Sequence, residues 1–337
     1  SKTNIIDFIV DVINFVHQKD RAILDLFAGS ASLAGAIGKQ VNFVSNDIQE
    51  YSKVLSQTYL VNLRDADIPD IDHIHQQVLD LVAANVQKEY LVDYNKLNDI
   101  EDFNCLEENQ KDLINKDFSY DYHLFAKNYS GTWWSYEQCL WIDALREVAD
   151  EYKDKPIYPI FLSSLMYSMA YCSQGTGHYA QYRDAKTNSS FNDICIYRKK
   201  EVFKFFHKKF NELCTYSLNT KSKVNSAFLS ADFKEALKTF EGGTVYADPP
   251  YCFVHYSRFY HALETLVLYD YPEIQKKNNV IVKGRYREDR HQSPFCIKTK
   301  VEDAFLDMFK GVELTNSQLA LSYSNTGMIS LETMMEL

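Results

Sequence analysis

Residues 22–47 read AILDLFAGSASLAGAIGKQVNFVSND. Ala22 to Phe27 is a short apolar run, the pattern of a buried strand. It breaks at Ala28-Gly29-Ser30-Ala31-Ser32 and passes into a short helix around Leu33 to Ile37. Val41 to Ser45 is a second strand that stops at Asn46-Asp47. Strand, tight turn, helix and strand make a βαβ unit, and a parallel sheet is its expected product. The small residues of the turn let a ligand approach the backbone, and the helix that follows adds amide donors.

Upstream, apolar residues at 5, 6, 9, 12, 13 and 16 predict a helix from Asn4 to Val16. Downstream, a helix is expected from Glu50 to Asn62. From about residue 61 the pattern changes to helical stretches, among them Ile71–Val86, Tyr136–Tyr152 and Glu201–Leu213. Polar and aromatic loops separate them, such as Asn128–Trp134 and Gln174–Gln181. Strand–helix alternation resumes afterwards. Ala227–Ser230, Thr244–Ala247, Val280–Lys283 and Leu319–Tyr323 read as strands. Asp232–Phe240, Arg258–Tyr269 and Glu302–Phe309 read as helices between them. The expected organisation is a sheet domain of residues 1–60 and 225–337 with a mainly helical domain, 61–224, inserted into it.

A length of 337 residues is enough for a sizeable core. No apolar stretch reaches the ~18 residues a membrane helix needs, because serines interrupt Ile157–Cys172, so no membrane association is expected. Seven cysteines are widely spaced without a Cys-x-x-Cys pair, which argues against a disulfide framework or zinc knuckle. That usage fits a reducing, cytoplasmic compartment. The first residues are Ser1-Lys2 rather than Met, and the last seven begin a helix behind Ser330, so a longer natural protein is expected. The net charge of −10 is unevenly spread. Val61–Asp121 holds 15 acids against 5 bases, whereas Arg183–Lys223 holds 10 bases against 4 acids and Lys276–Lys300 holds 8 against 2. Such basic stretches are compatible with a phosphate-binding face.

Chemistry concentrates at predicted strand ends. Tyr246-Ala-Asp-Pro-Pro-Tyr251 closes an apolar strand with two prolines, which fix φ and remove donors. The stiff turn presents the Asp248 carboxylate, the Pro249 carbonyl and the Tyr251 ring, with Pro250 completing the corner. Two acceptors beside one ring suit a planar base bearing an exocyclic amino group. Asp47 ends the second strand, where an acid typically takes a ribose diol. Asp232, starting a helix, can accept from an adenine amino group while Phe233 packs on the ring. Asp47 and Asp232 are also plausible helix caps, and the glycine-poor loop matches neither dinucleotide nor P-loop patterns.

Taken in order, these segments resemble the DNA adenine methylase family, the amino-methyltransferases that use S-adenosylmethionine. Asp25-Leu-Phe27-Ala28-Gly29-Ser30 is similar to the family's cofactor loop, and Asp47, followed by Ile48, to its ribose-binding position. Ser230-Ala-Asp232-Phe233 resembles the adenine-edge motif and Asp248-Pro249-Pro250-Tyr251 the catalytic motif. His255–Glu264 and Leu321–Ser324 resemble later motifs. The chain departs from the family pattern at Ala31, where a second glycine is usual, and in the absence of an evident last antiparallel strand.

The resemblance implies a Rossmann-like class I methyltransferase sheet in an α/β fold, with residues 61–224 as target-recognition domain. It implies S-adenosylmethionine as cofactor and transfer to the N6 amino group of adenine in double-stranded DNA after base flipping. No metal is implied, and none of the nine histidines forms a convincing site; His73 and His75 read as a solvated helix face. Asp248 and the Pro249 carbonyl would accept the two amino protons while Tyr251 stacks on the base. His178, Gln181, Arg183, Lys199, Arg258, Arg285 and Arg287 are the candidate DNA contacts, with Arg290 nearby; structural ion pairs compete with that reading for the arginines. Trp133 and Trp134 read as core or interface residues. A bacterial or phage modification enzyme with a cognate restriction nuclease is the expected setting. Cytosine-N4 methylation and a catalytically silent DNA-binding module stay open as alternatives, and the sequence leaves the recognition site and oligomeric state undecided.

Overall fold

The computed structural model describes residues 5–175, 177–251, 253 and 256–337. Asn4, Thr176, Cys252 and His255, which enter the sequence reading, lie outside these residues. The chain forms two compact units. One comprises Ser1–Asn62, Tyr216–Ser257 and His291–Leu337, and the other Leu63–Thr215 and Arg258–Arg290.

The first unit is built on five parallel strands: β1 (Ala22–Asp25), β2 (Phe43–Asp47), β3 (Ser226–Ser230), β4 (Gly243–Ala247) and β7 (Gln318–Leu321). Their order is β3-β2-β1-β4-β7. All four pairings are parallel, so among the described residues this sheet has no antiparallel edge strand. Chain order runs one way from β1 to β2 and the other way from β1 to β4. That reversal is the switch point at which open α/β sheets leave a crevice beyond the strand ends.

Helices cover both faces, and strand periodicity decides which side chain meets which layer. Ile23, Phe43, Tyr246 and Ala320 pack with Ile9 and Ile13 of α1 (Ile6–Val16), with Leu33 and Ile37 of α2 (Ser32–Ile37) and with Leu60 of α3 (Glu50–Leu60). Their neighbours Leu24, Val245 and Ala247 point the other way, into a core with Phe295, Phe305 and Met308. Gly243 opens β4 with φ +148, and a Cβ there would sit 2.2 Å from the Ala22 carbonyl oxygen, so the close approach of β4 to β1 requires glycine.

The second unit is mainly helical, with α4 (Ile71–Asn85), α5 (Ile100–Lys111), α6 (Leu124–Tyr129), α7 (Tyr136–Asp150), α8 (Tyr158–Cys172) and α9 (Asn188–Arg198). The boundary between the units falls within α10 (Val202–Asn219). Later helices are α11 (Phe233–Thr239), α12 (Tyr256–Phe259), α13 (His261–Leu268), α14 (Val301–Leu314) and α15 (Leu331–Glu336). Trp133 and Trp134 are fully buried, their indole N–H groups donating to the Gly284 and Met169 carbonyls at 2.9 Å. The serines of Ile157–Cys172 are accommodated inside α8, where Ser164 donates to Ile160 O and Ser168 to Val202 O. No helix is long and apolar enough to cross a membrane among the described residues.

The structure corrects the expected strand Val280–Lys283. Val280–Ile281 is β6 of a separate two-stranded antiparallel hairpin with β5 (Lys276–Lys277), outside the parallel sheet. Asn278 and Asn279 both adopt positive φ (52° and 62°), the signature of a two-residue hairpin turn that folds the run back on itself. The whole segment Arg258–Arg290 belongs to the second unit rather than to the sheet domain.

Candidate functional site

The predicted catalytic and cofactor residues follow the ends of four adjacent strands, β3, β2, β1 and β4. Asp25 pairs with Tyr246 in register, and the Leu26 amide continues the ladder to the Tyr246 carbonyl (2.9 Å). Phe27–Ser30 and Asp248–Tyr251 therefore leave neighbouring strands at the same edge, a strand spacing of about 4.8 Å apart at their roots. Asp25 itself is buried, at 1% exposure.

Beyond β1, the Gly29 amide donates to Asp47 Oδ2 (2.9 Å), and the Gln49 amide donates to Oδ1 (3.0 Å). One carboxylate thus fixes the first loop against the second. Gly29 has φ +55, and a Cβ built there would find only the Phe27 carbonyl, at 4.0 Å. Open space lies over the backbone at that point. Ala31 also adopts the left-handed region (φ 57) as it enters α2, which explains why glycine is usual there and why alanine is tolerated at a modest strain. Ile48 is exposed beside Asp47. The Phe27 ring lies edge-on to Phe295 (5.4 Å) and tilted to Phe233 (6.1 Å).

Asn46 is a residue that the sequence reading passed over. Buried at the end of β2, its amide donates to the Leu26 and Ala231 carbonyls (3.1 Å each) and accepts from the Ala231 amide (3.2 Å). A single side chain ties together the loops after β1, β2 and β3. Only its place before Asp47 hinted at this.

Asp232 caps α11, accepting from the Lys234 amide (3.0 Å). Phe233 is buried behind Phe27 in the core. In the proline corner, Pro249 is buried while Asp248 and Tyr251 are partly exposed. The Tyr251 ring meets Tyr323 edge-on (6.4 Å), and Tyr323 in turn packs edge-on against Phe305 (5.1 Å). The Ser322 amide donates to the Ala247 carbonyl (2.8 Å), so the end of β7 supports the corner.

The candidate DNA contacts all fall in the second unit. Arg287 is buried and bidentate to Asp270 (2.7 and 2.6 Å). Burial opposes its charge, but the Asp270 hydrogen bonds outweigh this and hold the guanidinium above its ordinary pKa. Arg285 is buried, with positive φ, and donates to the Lys111 carbonyl (3.1 Å); burial lowers its pKa. Arg258 lies over the Tyr286 ring (4.4 Å) and donates to Ala180 O and Tyr286 Oη (3.0 Å each). Arg183 pairs with Asp193 at 2.6 Å. His178 meets Phe259 edge-on, whereas Gln181 and Lys199 are exposed. The arginines are thus tied into internal contacts of this unit.

His75 stacks on Phe203 (4.0 Å). No group of three metal-ligating side chains occurs among the described residues.

The sequence profile of the D12 class N6 adenine-specific DNA methyltransferases matches residues 1–336. The chain belongs to this family. Three relatives carry the names of modification or type II methyltransferases. The modification methylase LlaI of Lactococcus lactis subsp. lactis is 25% identical over 100% of this chain and 47% of its own length. The type II methyltransferase M.FokI of Planomicrobium okeanokoites is 23% identical over 98% of this chain and 44% of its own. The type II methyltransferase M.NlaIII of Neisseria lactamica is 22% identical over 94% and 79%. The chain thus spans less than half of LlaI and M.FokI. No solved structure gives a significant match.

Proposed function

We propose that this D12 family member transfers a methyl group from S-adenosylmethionine to the N6 amino group of adenine in double-stranded DNA. The observation that carries the reading is the adjacency of the Gly29–Asp47 loop pair and the Asp248–Tyr251 corner at the switch point of one sheet.

The residues at the first loop fit the cofactor. Open space over Gly29, a half-buried Phe27 ring and an exposed Ile48 suit an adenosine moiety, and the Asp47 carboxylate suits a ribose diol. Asp232 and Phe233 would border the adenine edge. When bound, S-adenosylmethionine supplies an electrophilic methyl group on sulfur.

The chain's own residues address a different difficulty. An adenine amino group is a poor nucleophile because its lone pair is delocalised into the ring. Asp248 and the Pro249 carbonyl accept its two N–H bonds and draw the nitrogen out of the ring plane. Tyr251 stacks on the base face, which stabilises an unstacked base by about 1–3 kcal/mol. That offsets part of the few kcal/mol needed to extrude the base from a duplex. Pro249 and Pro250 stiffen the corner, so little reorganisation accompanies the reaction.

The second unit would read the target, with Gln181 and Lys199 as its freest candidate contacts and His178, Arg183, Arg258, Arg285 and Arg287 as their framework. The relatives' names carry the reading one step further, to the modification half of a restriction–modification system in a bacterial or phage-infected cytoplasm, with a cognate nuclease. The test is transfer of labelled methyl groups to duplex DNA by wild type and Asp248→Ala. Loss of transfer with cofactor affinity retained is expected. Unchanged transfer in Asp248→Ala would remove the mechanism.

A further inference from the structure

The β5–β6 hairpin of the second unit is built as a rigid arm with an open tip. Its base is held by backbone bonds from Gln275 N to Tyr286 O, from Val282 N to Gln275 O and from Glu288 N to Glu273 O (2.8, 3.0 and 2.8 Å). Side chains add to this. Arg287 binds Asp270, Lys283 binds Asp184 (2.8 Å), and the Trp133 indole donates to Gly284 O. Every residue from Lys276 to Val280 is exposed, Val280 at 69%. Among the described residues Lys276 and Lys277 have no ion-pair partner, and the Asn278 and Asn279 side chains make no hydrogen bond.

A two-stranded ribbon fits the major groove of B-form DNA. An asparagine amide offers one donor and one acceptor side by side, the pair that matches the adenine N6/N7 edge. Lysines on successive positions of a strand point to opposite faces of the ribbon, toward opposite groove walls. Edge lysines alone are a common guard against aggregation. A guard does not explain the exposed valine beside them, whereas a thymine methyl group would receive it.

We propose that Lys276–Ile281 is a groove-reading arm for duplex DNA. Asn278 and Asn279 contact base edges, Lys276 and Lys277 contact flanking phosphates, and Val280 meets an apolar base substituent. This rests on the DNA methyltransferase reading above and names where that reading's specificity resides.

The test uses the full chain. Methylated adenines in DNA treated with wild type define the site, and duplexes with single changes in that site define its discrimination. Asn278→Gly/Asn279→Gly keeps the turn, since Gly-Gly supports the same φ signs, and removes both amides. Its preference for the site over singly changed duplexes should fall by about tenfold or more. Lys276→Gln/Lys277→Gln should lower the log–log salt slope of duplex affinity by about 1.8. S-adenosylmethionine affinity should be unchanged in both. If wild type methylates DNA while both variants keep its discrimination and salt slope, the arm is not a reader, although the methyltransferase reading survives. If wild type methylates no DNA, both fall.

Discussion

The Gly29 amide and the Asp47 carboxylate meet at 2.9 Å, and the second carboxylate oxygen takes the Gln49 amide. Asp47 therefore fixes the shape of the loop after β1, the proposed cofactor loop. Asparagine has one acceptor where two are needed, and its NH2 would confront an amide donor. Asp47→Asn should weaken S-adenosylmethionine binding by about tenfold or more, because a hydrogen bond to a charged group is worth about 1.5–3 kcal/mol. Titration calorimetry decides this. An affinity equal to that of wild type would mean that the loop holds its shape without the carboxylate.

Tyr251 is partly exposed, its ring stands at 82° to the Tyr323 ring with centroids 6.4 Å apart, and stacking on the base face is the role proposed for it. Tyr251→Phe keeps the ring and should retain most activity. Tyr251→Ala should cost about 1–3 kcal/mol of base stacking, a roughly 5- to 150-fold drop in kcat/KM for DNA. Steady-state kinetics on one duplex substrate compares the two. Equal losses in both variants would assign the contribution to the hydroxyl and refute stacking.

These two sites differ in how openly the sequence announced them. The βαβ opening was legible because Ala22–Leu26 and Phe43–Ser45 alternate between two apolar layers and stop at a small-residue loop and an acid. The proline corner was legible because consecutive prolines leave a strand few alternatives. Val280–Lys283 misled because four apolar-rich residues look alike in a buried strand and in a hairpin arm. Two left-handed asparagines decide between them, and an Asn-Asn pair signals such a turn less strongly than Asn-Gly. Asn46 was illegible for another reason: its partners, Leu26 and Ala231, are far away in sequence, and only the folded sheet brings them together. For Arg258, Arg285 and Arg287 the sequence leaves DNA contacts and structural ion pairs as competing readings, and the fold gives them internal partners in Tyr286, Lys111 and Asp270.

Arg198 of the second unit is fully buried against Glu107, with bonds at 2.7 and 2.9 Å, and also donates to the Thr132 and Trp133 carbonyls. Removing one charge leaves the other in the core without its counterion. Glu107→Gln should cost about 3–5 kcal/mol of stability. The exposed pair Lys238–Glu235 is the control, where Glu235→Gln should stay within about 0.5 kcal/mol. Chemical denaturation measures both. A small effect at Glu107 would show that the Thr132 and Trp133 carbonyls alone satisfy the guanidinium.

His261 is fully buried among Tyr129, Tyr179 and Tyr286. Burial, reinforced by Arg290, Arg287 and Arg258, pushes its pKa from the ordinary 6.5 down to about 3. The folded state thus holds a neutral imidazole that the unfolded chain protonates below pH 6.5. Between pH 6.5 and 3 the unfolded state binds more protons, so stability is lost as pH falls, by up to about 1.4 kcal/mol per pH unit. Carboxylates titrate in the same range, so the informative quantity is the difference between wild type and His261→Gln. Urea denaturation at pH 7.5 and 5.5 should show wild type losing about 1.4 kcal/mol more than the variant over that interval. Parallel losses in the two proteins would mean that the imidazole is protonated within the fold and that its burial is compensated by the surrounding rings.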